Sequence, residues 1–66
     1  MNPDELMQSA EAGQAEDGTW SAHTIPPVGG IVVGMGETRE AALEDLRSGI
    51  DVFLEAWAER HNTDLN

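Results

Sequence analysis

Two histidines, two adjacent pairs of carboxylates and a scatter of glycines are the residues of this chain whose types could do chemistry. His23 and His61 could serve as bases or metal ligands, but they do not share helical ligand spacing and no activated nucleophile accompanies them. His23 reads as a side chain on a strand face. His61 sits near a helix carboxyl end, where partial positive charge is favourable. The pairs Glu16-Asp17 and Glu44-Asp45 offer oxygen ligands for Mg²⁺ or Ca²⁺. Neither pair lies in a loop with metal-site spacing, and a hairpin turn and a solvated helix face account for them. Gly29, Gly30, Gly34 and Gly36 lack the dinucleotide-binding spacing inside a strand–helix–strand unit. With no cysteine there is no disulfide, thiolate site or cysteine nucleophile. No catalytic residue, cofactor or metal is therefore expected.

Sixty-six residues make one small domain, and a chain of this size buries only about 60% of the surface its unfolded form exposes. Burial against a second chain is the default expectation. Three Lys+Arg against 13 Asp+Glu give a formal net charge of −10, and all three cations, Arg39, Arg47 and Arg60, are arginines. No basic patch exists to neutralise phosphates, so direct nucleic-acid binding is not expected. Anionic membranes are disfavoured for the same reason, and Ile31-Val32-Val33 is far too short to span a bilayer. The start Met1-Asn2-Pro3-Asp4-Glu5 is acidic and no apolar stretch follows it, which predicts a cytoplasmic protein.

The elements that would position any site follow from local chemistry. Residues 1–18 carry Asp4, Glu5, Glu11, Glu16 and Asp17 with no cation. Here two readings compete. Asn2 as N-cap, Pro3 at the first helical position, Glu5 three after the cap and Gly13 as terminator favour a short helix. Asp17-Gly18 is a type I′ hairpin signal that wants an extended partner on each side. Beyond it, residues 19–25 are β-branched and aromatic and stop at Pro26-Pro27, which predicts a strand. Residues 31–35 form a second strand buried on at least one face, with Gly34 marking a bulge.

Thr38 is a good N-cap, and from there Leu43, Leu46, Ile50, Phe53 and Trp57 recur at spacings of three and four. The pattern predicts a helix over 39–60, about 33 Å long. The polar tail 61–66 is expected to be unstructured. Strands of five to seven residues span about 17–24 Å, so the last helical turns should overhang the sheet. Phe53, Leu54 and Trp57, with Val52 as a second contact, are accordingly expected to meet another copy in a homodimer or tetramer. Glu40, Glu44, Asp51 and Glu55 run along the opposite side, as a solubility device or as a surface for a basic partner.

The middle of the chain resembles the HicB-like antitoxin family, whose members carry D-G-x-[WY]-x-A, then P-x-L-P-G, then G-[DT]-T-x-E-E-A-L entering a helix. The corresponding residues are Asp17-Gly18-Thr19-Trp20-Ser21-Ala22, then Pro26-Pro27-Val28-Gly29-Gly30, then Gly36-Glu37-Thr38-Arg39-Glu40-Ala41-Ala42-Leu43, in the same order and at similar intervals. The likeness covers about residues 17–55. Val28, Gly29, Glu37 and Ala41 depart from the pattern, and one residue is extra before Pro26. The resemblance implies an α+β fold: a small antiparallel β-β-β sheet, an incomplete ribonuclease-H-like unit, followed by one long amphipathic helix packed on one face. It makes the segment before Asp17-Gly18 the first strand, at about residues 6–12, in preference to the local helix.

Such families typically inhibit a small basic toxin protein that cleaves messenger RNA, and many add a DNA-binding domain. Six residues after the helix cannot form one, so operon repression is not expected of this chain. The expectation is a non-enzymatic acidic module that masks a basic toxin through Glu40, Glu44, Asp51 and Glu55. The alternative is an orphan oligomeric structural or regulatory subunit with no toxin partner. A nuclease is disfavoured, because two-metal chemistry needs converging carboxylates and residues 19–25 and 31–35 contain none.

Overall fold

The computed structural model describes residues 2–64, with side chains to Arg60. In chain order it contains α1 (Pro3–Gln8), β1 (Glu11–Gln14), β2 (Trp20–Thr24), β3 (Val32–Gly36) and α2 (Arg39–Asp64). The strands form an antiparallel sheet in the order β1-β2-β3, and α2 lies across one face of it. The expected α+β class, three strands followed by one long packed helix, is the fold observed.

The amino-terminal segment holds both of the competing elements, and a strand over 6–12 is not one of them. Asn2 adopts extended backbone and its side chain accepts the Glu5 N–H at 2.9 Å, while Pro3 opens the helix and Asp4 and Glu5 favour its positive end. Leu6, 3% exposed, is what this helix contributes to the core. The helix stops at Ser9 and not at Gly13, because the Leu6 carbonyl, orphaned in the last turn, accepts from the Thr24 hydroxyl at 3.0 Å and the Ser9 hydroxyl at 3.1 Å. Those two hydroxyls lie 3.0 Å apart, and since each has one proton, a bond between them replaces one of the two to the carbonyl; either arrangement ties α1 to β2. Gly13 lies inside β1, paired with Ser21. Ala10, Glu11 and Ala12 are weak strand formers, and β1 is accordingly a four-residue edge strand.

The β1–β2 turn also differs from the expected type I′ pair. The Gly18 N–H donates to the Ala15 carbonyl at 3.0 Å and the Ala15 N–H to the Thr19 carbonyl at 2.8 Å. Only Gly18 takes positive φ, at 93°, whereas type I′ needs it at both central residues. Asp17 instead accepts the Thr19 N–H at 2.9 Å. That backbone N–H holds the Asp17 carboxyl below its ordinary value of 3.8. A carboxylate with lowered pKa stabilises the folded state above that ordinary value, and the contribution is lost as the pH falls through the folded pKa.

β2 and β3 lie within a residue of their expected limits, and their register runs without a break through Ala22↔Gly34, so Gly34 is not a bulge. Its role is close approach. A Cβ at Gly34 would sit 2.6 Å from the Ala42 carbonyl oxygen and closer still to the Leu46 backbone nitrogen. The inner face of β3 is accordingly Val32, Gly34 and Gly36, facing Ala42, Leu46 and Ile50 of α2, each of the three fully buried. With Leu6, Ala22 and Val32 these α2 residues make the core.

α2 runs 26 residues, about 39 Å, and continues through residues 61–64, which were expected to be unstructured. No proline follows Pro27 and no glycine follows Gly49, so nothing in the sequence stops the helix there. The side chain of His61 lies outside the described residues. Strands of four and five residues leave the helix overhanging the sheet, and the molecule measures 48 × 17 × 16 Å. No helix among the described residues is long and apolar enough to cross a membrane.

The close approach predicts that Gly34→Ala destabilises the fold by about 3 kcal/mol or more, since overpacking against backbone has no side chain to move aside. Gly13→Ala, with nothing within 4 Å of the added methyl, is expected to stay within about 0.5 kcal/mol of the parent. Urea unfolding of the two variants at constant m-value measures the contrast.

Candidate functional site

At about 100° per residue, Glu40, Glu44, Asp51 and Glu55 fall within about 60° of arc on the side of α2 turned away from Leu46. All four are exposed. The stripe extends about 22 Å along the helix at 1.5 Å per residue. Arg47, the cation that borders it among the described residues, lies 3.4 Å from Asp4 on α1, and both side chains are mostly in solvent. Such a pair contributes little to stability, but it places Asp4 and the first turn of α1 beside the same acidic face.

The two carboxylate pairs that could have held a cation are divided by the fold. Glu44 belongs to the exposed stripe, whereas Asp45, one residue on, turns toward the sheet and accepts the Met35 N–H at 2.9 Å. β3 is an edge strand, so this N–H points away from β2 and would otherwise be open. Asp17 is taken up by its turn, as described. Among the described residues no three His, Asp or Glu side chains cluster in a way that could hold a metal ion.

His23 stands on the outer face of the sheet with its Nε2 3.8 Å from Glu11 Oε2, and both side chains remain substantially exposed. Ser9 and Thr24 line the same shallow depression. Their hydroxyls are engaged with each other and with the Leu6 carbonyl. His23 therefore has no hydroxyl aligned to activate, and the constellation anchors α1.

Of the residues expected at an oligomer contact, Phe53 and Trp57 share one groove and Val52 stands apart from it. Phe53 and Leu54 are half-buried and pack against the core. Trp57 is half-buried too, and with Phe53, Ala56 and Arg60 it lines an open groove on the overhanging end of α2. Val52 is 66% exposed, on the flank of the helix above β3.

Two features were missed in the sequence. One is Asp45 as cap of the β3 edge. The other is the outer face of the sheet, where Ile25, Ile31, Val33 and Met35 are all more than half exposed. The signal for it was present as alternation of size: large residues at 31, 33 and 35 interleave with Val32, Gly34 and Gly36.

Asp45→Ala is expected to lower stability by about 1 kcal/mol through loss of the bond to Met35. Glu44→Ala, from the solvated stripe, should change it by less than about 0.5 kcal/mol. Paired denaturant titrations compare them.

Against known proteins, no family model, no curated protein and no solved structure matches this chain.

Proposed function

We propose that the chain is a non-enzymatic, acidic protein-binding module that masks a small basic protein, in the manner of an antitoxin against a basic RNA-cleaving toxin. The single observation that carries this reading is the segregation of charge. Glu40, Glu44, Asp51 and Glu55 stand exposed in one row on the outer side of a rigid helix, within a chain of net charge −10. Solvated faces usually intersperse both signs, whereas this row has carboxylates along its length and Arg47 at its border. Such a row creates a field that steers a cationic protein and sets its orientation on docking. The resemblance of residues 17–55 to the HicB-like pattern supports this class of partner. The small size of the chain suits inhibition by coverage, since a helix about 39 Å long can occlude the basic RNA-binding surface of a protein of similar size.

A second reading, an oligomeric structural or regulatory subunit without a toxin partner, draws on the exposed apolar outer face of the sheet. The two readings separate on salt. Masking of a basic protein through the stripe weakens steeply with ionic strength, because exposed charges are screened over about 10 Å at 0.1 M.

Replacement of Glu44, Asp51 and Glu55 together by Gln keeps helix propensity nearly constant and removes three charges. Binding to a small basic RNA-cleaving protein should then lose association rate more than it gains dissociation rate, with a shallower salt slope. Arg47→Gln removes the bordering cation and should raise the association rate. Stopped-flow or surface kinetics at several salt concentrations measure both signs. Unchanged rates in both variants would assign the acidic stripe to solubility alone.

A further inference from the structure

The fold turns the larger apolar residues of β3 outward. Val32, Gly34 and Gly36 face α2, while Ile31, Val33 and Met35 face away from it, 60%, 53% and 59% exposed. The register pairs His23 with Val33 and Ser21 with Met35, and the same register carried one step further sets Ile25 opposite Ile31. Ile25 is 65% exposed, and Val28, in the adjoining turn, is 51% exposed. Ile25, Ile31, Val33 and Met35 form a strip on the outer face, with Val28 exposed in the loop at its end. A Val, Ile or Met side chain removes roughly 60–120 Å² from water on full burial. The strip thus leaves on the order of 300 Å² of apolar surface open, as much as the largest patch of an ordinary monomer, on a chain whose whole surface is 4720 Å².

We infer that this strip is the contact between two copies of the chain, which meet sheet to sheet with their α2 helices outermost. Charge selects the second copy as occupant. Neither β2 nor β3 contains a carboxylate, and the outer-face Glu11 lies 3.8 Å from His23. A basic partner would find no countercharge on the strip. A second copy presents the same neutral strip, and this arrangement keeps the two acidic stripes on opposite outer surfaces, as far apart as the fold permits. Packing through the outer side of α2 would instead bring the two stripes together. Size agrees as well. Doubled across a two-fold axis, and with the roughly 60% apolar share usual in interfaces, the strip supports about 1,000 Å² of buried surface. That is about the lower bound for a specific dimer. The contact lies on a different surface from the one expected at Val52, Phe53, Leu54 and Trp57. It stands independently of the masking function, because it concerns the chain alone.

Sedimentation equilibrium of the full chain from about 1 to 500 µM tests it. The parent should pass from monomer to dimer across this range, and added salt should strengthen the dimer by screening like charges, the reverse of its effect on a basic partner. Val33→Glu and Met35→Gln, both at exposed positions, should weaken dimerisation at least tenfold while the thermal unfolding of the dilute monomer stays unchanged. Because the chain lacks cysteine, Val33→Cys introduces a single thiol. Mild oxidation should cross-link Val33→Cys into dimers and leave Val52→Cys, on the helix flank, uncross-linked. A parent that stays monomeric to 500 µM, a dimer indifferent to Val33→Glu, or cross-linking at Val52→Cys in place of Val33→Cys overturns the proposal. So does a sheet face covered only when a basic protein is added.

Discussion

The backbone of α2 rests directly on the backbone of β3 at Gly34, and the rest of the fold follows from the absence of a side chain there. With the Ala42 carbonyl and the Leu46 amide where a Cβ would lie, the inner face can hold only small groups along this line. Gly36 and Ala22 continue the pattern, and Ala42 meets them from the helix. A small core results, and its apolar area comes mainly from Leu46, Ile50, Leu6 and Val32. Because the inner face has no room, the larger residues of β3 turn outward. The exposed apolar strip is therefore a consequence of the same contact that fixes the helix.

Around that contact the polar groups are arranged as anchors. The Leu6 carbonyl, shared by the hydroxyls of Ser9 and Thr24, ends α1 and fastens it to the buried end of β2, so the lone buried side chain of α1 reaches the core. On the opposite edge Asp45 holds the Met35 N–H. It blunts a free strand edge with a charge, a device that discourages edge-to-edge pairing without forbidding contact through the face. Thr38 accepts the Ala41 N–H at 3.0 Å and starts α2 at a defined point, which sets the rotation of the helix and hence the direction in which the acidic stripe looks.

Much of this was legible in the residues. The period of Leu43, Leu46, Ile50, Phe53 and Trp57 gives α2 and its buried side, and by subtraction the row Glu40, Glu44, Asp51 and Glu55. The prolines at 26 and 27 end β2. At the amino terminus the local capping signals were right about α1, and the Asp17-Gly18 turn signal was right that an extended segment precedes it. Both fit because each element is shorter than a single one filling the segment would be. The orientation of β3 was not legible, since Ile31, Val32 and Val33 are equally apolar and alternation of polarity, the usual guide, is missing. Only the spacing of Gly34 and Gly36 carries it. Asp45 could not be told from Glu44 as a solvated helix residue, because what distinguishes them is the strand edge that the tertiary fold brings beneath one of them.

Charge and apolar surface are thus sorted to opposite sides of a thin molecule, and the proposed division gives each side its own partner. Backbone amide shift mapping of the chain, titrated with a small basic RNA-cleaving protein, tests that division directly. The predicted result is a set of shifts following Glu40, Glu44, Asp51 and Glu55 on α2 and fading as salt is raised, with Val33 and Met35 unmoved. Shifts centred on Val33 and Met35 and insensitive to salt, with the helix row unmoved, would contradict it.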